Sequence, residues 1–173
     1  ETMGLVINFV AAGGEVPAVI PVGDDYHVFG DGQEATSVAI VFVDYANPES
    51  AKHARETLPA LAEGQIDAGT MIYVVHPWAS DAESASGQAA IAAECSGEQG
   101  KYRRMHDLLL DDQQAWSEAA EPNSQFVEYA DSLGLDVGEF EACLDSEQAW
   151  LQVQGSTVLA ALNNLPSIPF FVF

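Results

Sequence analysis

The sequence predicts one α/β domain, built from a βαβ unit that is followed by a long helical block. Two continuous apolar runs, SVAIVFVD at 37–44 and TMIYVVH at 70–76, are typical of strands buried on both faces of a partly parallel sheet. The helical pattern between them, at 48–63, predicts a crossover helix. The pattern is then wholly helical from residue 81 to about 145, and a last short strand is predicted at 170–173.

The helical block occupies most of the second half of the chain. One Ala-rich stretch and three further helical stretches predict four helices, over 82–95, 98–114, 123–133 and 136–144. Another helix is predicted over 147–163, with an apolar face formed by Trp150, Val153, Val158 and Leu162. The order of elements indicates an α/β domain with a helical insertion at about 80–145.

The charge balance restricts the partners that the chain can bind. It has 27 Asp and Glu residues against 5 Lys and Arg residues, which gives a formal net charge of −22. A phosphate backbone is bound by clustered cations, so we do not expect nucleic-acid binding. Hydrophobic residues make up 48% of the chain, which is enough for a packed core. The acidic surface is either simply solvated, as in a high-salt habitat, or faces a cationic partner.

The last 26 residues, 148–173, contain no charged side chain. On a chain this acidic, such a segment should be buried in the core or against a partner. A protein partner is therefore expected here, with Trp150 as the candidate anchor because aromatic residues are enriched at binding hot spots. The predicted partner-binding residues are Trp150, Val153, Val158, Phe171 and Phe173.

Residues 1–25 are predicted to form an arm and a linker before a domain over 26–173. The apolar run at 3–12 is too short to span a bilayer, for which roughly 20 apolar residues are needed. It is either a strand or a loosely packed arm, or it is the end of a signal or membrane-anchor segment. Glycines and prolines at 13–23 indicate the linker.

Three segments, in this order, carry a resemblance to a known family. They read AAECSGEQGKYRRMHDLLLDDQQAWSE, then FVEYADSLGLDVGEFEACLDSE, and finally LPSIPFFVF. The chain resembles the DsbA-like thiol-disulfide oxidoreductases of the thioredoxin superfamily. This resemblance covers most of 26–173 and implies a thioredoxin-like fold in which the helical block is the family's insertion.

The chain departs from this family at the catalytic motif. Relatives carry Cys-x-x-Cys at the start of the first helix, whereas here the motif reads Asn47, Pro48, Glu49 and Ser50. Thiol-disulfide exchange needs one thiolate to attack and a second thiol to resolve the mixed disulfide. Because both thiols are absent, no catalytic residue is predicted, and the chain is expected to be a degenerate member without enzyme activity.

The same four residues form a good helix start. Asn is a favoured N-cap, Pro suits the first helical position, and Glu49 complements the positive end of the helix dipole. These preferences explain the sequence without any catalytic role. The alternative is that free N–H groups of this helix end bind an anion or a partner carboxylate.

The two cysteines, Cys95 and Cys143, form neither a Cys-x-x-Cys motif nor a zinc site. By resemblance they match the pair that staples the helical block in relatives, which implies a structural disulfide. The alternative is two buried free thiols, as in a reducing compartment. The four histidines have no metal-ligand spacing, so no metal and no cofactor are expected.

Two more expectations come from the family. Pro169 resembles the cis-proline that lies beside the active site and presents backbone groups to an extended peptide. Relatives also continue past this strand into another strand and a covering helix, whereas here the sequence stops at Phe173. The C-terminal strand and helix are therefore expected to be missing or truncated. Either the sequence is a fragment, or a partner completes the sheet.

These observations predict a redox-inactive DsbA-like protein. The leading hypothesis is an accessory or structural subunit of a periplasmic or cell-surface assembly, membrane-associated through its N-terminal segment. One alternative is a peptide-binding or chaperone-like module that uses the groove near Pro169 and Asn47. The other is a thiol-disulfide oxidoreductase with an atypical pair, Cys95 and Cys143. The partner and the oligomeric state do not follow from the sequence.

Overall fold

The computed structural model describes residues 9–11, 14–16, 27–30, 35–165 and 167–172. Two short strands, β1 (Phe9–Ala11) and β2 (Gly14–Val16), pair antiparallel as a separate two-stranded sheet. The linker predicted from residue 13 onward therefore contains a strand. The rest of the predicted arm and linker lies outside the described residues.

The main sheet has four strands, in the order β3-β5-β4-β6. Strands β4 (Ser37–Val43) and β5 (Met71–Pro77) pair parallel, while β3 (His27–Phe29) and β6 (Phe170–Val172) flank them antiparallel. The α/β prediction is confirmed. β3 was not predicted from the sequence, because three residues are too few to show an alternating pattern.

The crossover between β4 and β5 is not the single helix that the sequence predicted. Helix α1 (Pro48–Glu56) ends at Thr57, and α2 (Leu58–Leu61) with a π-helical turn (Ala62–Ile66) completes the connection. Pro59 explains the break. It has no N–H to donate to the preceding turn, and its ring clashes with the carbonyl four residues earlier, so α1 cannot continue through it.

The helical block contains five helices, followed by the predicted C-terminal helix α8. The single helix predicted over 98–114 is divided, because Gly100 adopts a φ of +72° after α3 and a second break falls at Asp112. None of the helices among the described residues has both the length and the apolar character needed to cross a bilayer. The bounds are α3 (Ala85–Glu98), α4 (Tyr102–Asp111), α5 (Gln113–Trp116), α6 (Asn123–Ser132), α7 (Val137–Leu144) and α8 (Glu147–Leu162).

The sheet separates two hydrophobic clusters. Alternate residues of β4 point to opposite faces, so Val41 and Val43 pack with the helical block while Ile40 and Phe42 pack with a smaller cluster that includes Ala160 of α8. The first cluster is much the larger of the two. The helical insertion therefore supplies most of the core, and it also supports the loop at the carboxyl end of β4.

Candidate functional site

The candidate site lies where β4 ends and α1 begins. Asn47, which the sequence comparison above predicts to stand at the position of the family's first cysteine, is the N-cap of α1, and its Oδ1 accepts from the Glu49 N–H at 2.9 Å. Its amide Nδ2 donates to the Ile168 carbonyl at 2.8 Å. The Ile168–Pro169 peptide bond is cis. The fold thus brings the degenerate motif and the cis-proline together, as the resemblance implied.

The loop before α1 is held by side chains from the helical block. Gln113 is buried, and its Nε2 donates to the carbonyls of Tyr45 at 2.6 Å and Asn47 at 2.9 Å. Ser86 Oγ donates to Asp44 Oδ1 at 2.5 Å, and the same oxygen accepts from the Ala46 N–H. Sequence reasoning missed Gln113, because no local motif links it to a loop 66 to 68 residues away.

A buried polar cluster lies behind this loop. The Tyr45 hydroxyl contacts the Tyr102 hydroxyl at 3.1 Å and Nδ1 of His106 at 2.9 Å. Burial raises the pKa of both tyrosines well above their usual range and lowers the pKa of His106 to about 3. All three groups are therefore neutral near pH 7. They hold the loop by hydrogen bonds between neutral groups, and the lowered pKa makes His106 a weak base.

Ser50, the residue predicted to stand at the position of the second family cysteine, is only 3% exposed. Its Oγ has no hydrogen-bond partner among the described residues. A serine nucleophile needs an adjacent base, and the neighbouring His53 is instead hydrogen-bonded through Nε2 to the Tyr73 hydroxyl at 3.0 Å. The geometry offers no activated nucleophile at Ser50.

The first turn of α1 does not offer the free N–H groups that an anion would need. Pro48 has no N–H, Glu49 donates to the Asn47 side chain, and Ser50 donates to the Asn47 carbonyl at 3.0 Å. The Glu49 carboxylate adds a negative charge at the same place. The anion-binding alternative is therefore wrong for this helix end, since the cap itself occupies these donors.

Cys95 and Cys143 are joined by a disulfide that connects α3 to α7. Both are buried, with exposed fractions of 1% and 8%. The described residues contain no cluster of three His, Cys, Asp or Glu side chains that could hold a metal ion. The cysteine pair thus lies in the core of the helical block. Both cysteines are far from the Asn47 loop along the sequence.

The predicted partner-binding residues do not form one surface. Val153 is completely buried in the larger core cluster, so its assignment to an interface is wrong. Trp150 is partly buried and packs against the same cluster, whereas Val158 is 55% exposed. Phe171 lies in β6, paired with β4, and Phe173 lies outside the described residues.

Two grooves flank the cis-proline loop. The groove between α1 and this loop has a volume of about 460 Å³ and the groove on the α8 side about 600 Å³. The first is lined by Glu49, Lys52, His53, Glu56, Thr57, Ser167, Ile168 and Pro169. The second is lined by Asp44, Trp78, Thr157, Ala160, Ala161, Asn164, Leu165, Ser167 and Ile168.

Solved structures of DsbA proteins share this fold. The α-DsbA1 of Wolbachia pipientis superposes with a TM-score of 0.76 at 17% identity, covering 88% of this chain and 76% of that one. Oxidised BdbD of Bacillus subtilis gives a TM-score of 0.74 at 18% identity, covering 86% and 80%. At these identities the likeness establishes the fold.

Two curated relatives match over most of this chain but are much longer than it. "Na(+)/H(+) antiporter NhaA 3" of Salinispora tropica is 29% identical over 93% of this chain, which spans 24% of the antiporter. "Putative protein-disulfide oxidoreductase RT0103" of Rickettsia typhi is 24% identical over 77% of this chain, which spans 48% of that protein.

The thioredoxin family model matches residues 24–171, which is most of the chain. The matched range contains the four-stranded sheet except for Val172, together with the helical insertion and the cis-proline loop described above. The chain belongs to the thioredoxin family and has a DsbA-like fold.

Proposed function

We propose that this chain is a redox-inactive, DsbA-like domain that acts by binding other proteins, as an accessory or structural subunit of an extracytoplasmic, membrane-associated assembly. One observation carries the proposal. Asn47 and Ser50 stand where the family has its two thiols, and the Asn47 side chain is bound to the cis-proline loop.

The chemistry of exchange supports the loss of activity. A thiolate must attack a disulfide sulfur, form a mixed disulfide, and be released by a second thiolate. An amide is not such a nucleophile, and the buried Ser50 hydroxyl makes no hydrogen bond to a base among the residues that the structure describes. In addition, the Asn47 amide donates to the carbonyl of Ile168, so this backbone group beside the cis-proline is already hydrogen-bonded.

Two observations support the location. A disulfide between Cys95 and Cys143 is the kind of bond that persists in oxidising, extracytoplasmic compartments. A protein named as a sodium/proton antiporter contains a segment similar to 93% of this chain, which supports an association with membrane proteins.

The formal charge of −22 favours a cationic surface on the partner.

Restoring the thiols tests the loss of activity. The natural chain should reduce insulin with dithiothreitol no faster than the reagent alone, whereas Asn47→Cys/Ser50→Cys should accelerate the reaction, because the loop and cap are already in place. Ser50→Cys alone is the matched control, since it lacks the attacking thiol. Turnover by the natural chain that disappears in Cys95→Ser/Cys143→Ser would instead support the atypical cysteine pair.

Native purification tests the assembly. The chain is extracted gently from the membrane and envelope fraction of its source, and co-migrating proteins are identified by mass spectrometry together with the Cys95–Cys143 linkage. A defined complex with an oxidised linkage is the expected result. A chain that runs with no other protein and with reduced cysteines would contradict both the assembly and the compartment.

Peptide binding is the second candidate, favoured by the groove of about 460 Å³ between α1 and the cis-proline loop. An extended peptide could add to backbone groups there. This candidate predicts saturable binding of unfolded peptides that is lost on changing Pro169. It also predicts tighter binding by Asn47→Ala, which frees the Ile168 carbonyl.

A further inference from the structure

Helix α8 exposes three of its large apolar residues to solvent, while Trp150 and Leu159 pack against the two core clusters. Its buried residues are mostly small: Ala149, Val153, Ser156 and Ala160. Its exposed apolar residues are larger, with exposed fractions of 55% for Leu151, 55% for Val158 and 75% for Leu162. A helix that only covered the core would bury its large apolar residues and expose polar ones. α8 therefore has a second face suited to packing.

The exposed residues form a continuous stripe. Leu151, Gly155, Val158 and Leu162 follow one another at spacings of four, three and four, which places them within an arc of about 60° on a helix of 3.6 residues per turn. We call these four residues the α8 stripe. This spacing is that of the a and d positions at a helix–helix contact. Gly155 meets no other atom within 4 Å of an added Cβ, so it leaves an open hollow on the surface.

The α8 stripe is self-complementary. If two copies of α8 cross antiparallel, Leu151 lies opposite Leu162 of the other copy, and Gly155 lies opposite Val158, because each pair of numbers has the same sum. The Val158 side chain then faces the hollow at Gly155. A two-fold interface has this property, in which residue i contacts j and j contacts i. Small residues at a crossing also allow close approach of two helices.

The distribution of charge favours the α8 stripe over other surfaces as the place where two copies of this chain meet. Glu147 is the one charged residue within α8, and it lies at the first turn. In the antiparallel arrangement the two Glu147 side chains lie at opposite ends, whereas a parallel pair would place them together. Two chains with a formal charge of −22 each repel through most surfaces, so an uncharged stripe is the face through which they can meet.

A groove extends the contact surface beyond the α8 stripe. It has a volume of about 330 Å³ and borders the stripe along its length. The opposite wall is formed by Val75, Pro77, His27 and Glu94, with His27 and Glu94 paired at 2.9 Å. Apolar side chains of a second copy could contact both the stripe and this wall.

We propose that α8 pairs antiparallel with α8 of a second copy through the α8 stripe, forming a two-fold homodimer. This inference is independent of the proposed redox inactivity, and its tests involve no catalysed thiol exchange. Because mutual repulsion of the acidic chains opposes the contact, the dimer should be stabilised when salt screens their charges.

Sedimentation equilibrium of the full chain tests the dimer. The dissociation constant should fall at least about tenfold between about 0.15 M and 2 M NaCl, as the screening length shortens. Val158→Lys should raise the dissociation constant by at least about tenfold, because a charge would be buried at the stripe. This effect should exceed the small gain from the new cation, which reduces the net repulsion between the chains. Ala142→Lys on α7 makes the same charge change at an exposed position and should not weaken the dimer. A chain that stays monomeric at both salt concentrations would overturn the proposal.

Cysteine cross-linking tests the direction of pairing. Leu151→Cys and Leu162→Cys variants are oxidised separately and as a mixture at high salt. Only the mixture should cross-link, because equivalent positions on antiparallel helices lie about 16 Å apart along the axis. The native cysteines do not interfere, since they are joined to each other. Cross-linking of Leu151→Cys alone would show a parallel pair and contradict the geometry.

Discussion

The side-chain amide of Asn47 donates a hydrogen bond of 2.8 Å to the carbonyl of Ile168, 121 positions later in the chain. The same side chain accepts the Glu49 N–H and caps α1. One residue therefore joins the start of the first helix to the cis-proline loop. In a family that uses this position for a reactive thiol, Asn47 makes a structural connection between the two halves of the site.

The two hydrogen bonds of Asn47 can be separated by substitution. Asn47→Asp keeps the capping oxygen but loses the donor to Ile168, so it should lower the free energy of unfolding by about 1–3 kcal/mol. Asn47→Ala loses both bonds and should lower it by about 1 kcal/mol more. Urea titration at neutral pH measures both. An Asp variant as stable as the natural protein would show that the bond to Ile168 contributes nothing.

The hydroxyl of Ser50 is expected to be dispensable. It is buried and has no hydrogen-bond partner within the described part of the chain, so Ser50→Ala should leave the free energy of unfolding unchanged or raise it by about 1 kcal/mol. Ser96→Ala is the matched control, because Ser96 is also buried in a helix but donates to the Ala93 carbonyl at 2.6 Å. The two changes have the same effect on helix propensity, so Ser50→Ala should be the more stable variant in urea. The reverse order would mean that Ser50 has an important partner.

The disulfide should stabilise the helical block. Cys95 and Cys143 are separated by 48 residues, and closing a loop of that size contributes about 4 kcal/mol by restricting the unfolded chain. Cys95→Ala/Cys143→Ala should lower the free energy of unfolding by roughly that amount, measured by urea titration. The natural disulfide should also resist mild reductant under native conditions, because both residues are buried. Rapid reduction of the folded protein would contradict a structural role.

His106 should make stability depend on pH. Burial, followed by the charges of His27, His53 and Arg103, lowers its pKa to about 3, whereas an unfolded histidine titrates near 6.5. Between these values the unfolded chain binds a proton that the folded chain does not, so stability falls as the pH falls, by up to about 1.4 kcal/mol per pH unit.

His106→Asn provides the comparison for this effect. The variant has no titrating group at this position, while its amide can still reach the Tyr45 hydroxyl. From pH 6 to pH 4, the natural protein should lose stability faster than the variant by about 1.4 kcal/mol per unit. The shared effect of the acidic residues cancels in the difference. Parallel pH profiles would show that folding does not lower the pKa of His106.

The sequence predicted the central part of the fold well. The runs that form β4 and β5 are continuous and apolar, and such runs have few other stable arrangements than a buried strand. The loss of both family thiols is also a property of the sequence alone. In contrast, the crossover was predicted as one helix, although Pro59 divides it, because the helical periodicity continues on both sides of the break.

The orientation of α8 shows where periodicity fails. The sequence offers apolar residues on both sides of this helix, so Val153 and Val158 were assigned to one face although they lie about 140° apart around the helix axis, with Val153 buried and Val158 exposed. Packing against the sheet and α3 selects the side with small residues, because close approach requires them, and leaves Leu151, Val158 and Leu162 exposed. That choice depends on neighbouring elements that no local pattern contains.

The sequence by itself determined the charge, the class of fold, the family and the absence of a Cys-x-x-Cys motif from residues 1–173, because these depend on composition, short periodic runs and residue identity. Only the tertiary structure decided that Asn47 binds Ile168, that Gln113 holds the loop, and that the α8 stripe faces outward. Such contacts join residues far apart in the chain, and their formation depends on how whole elements pack against one another.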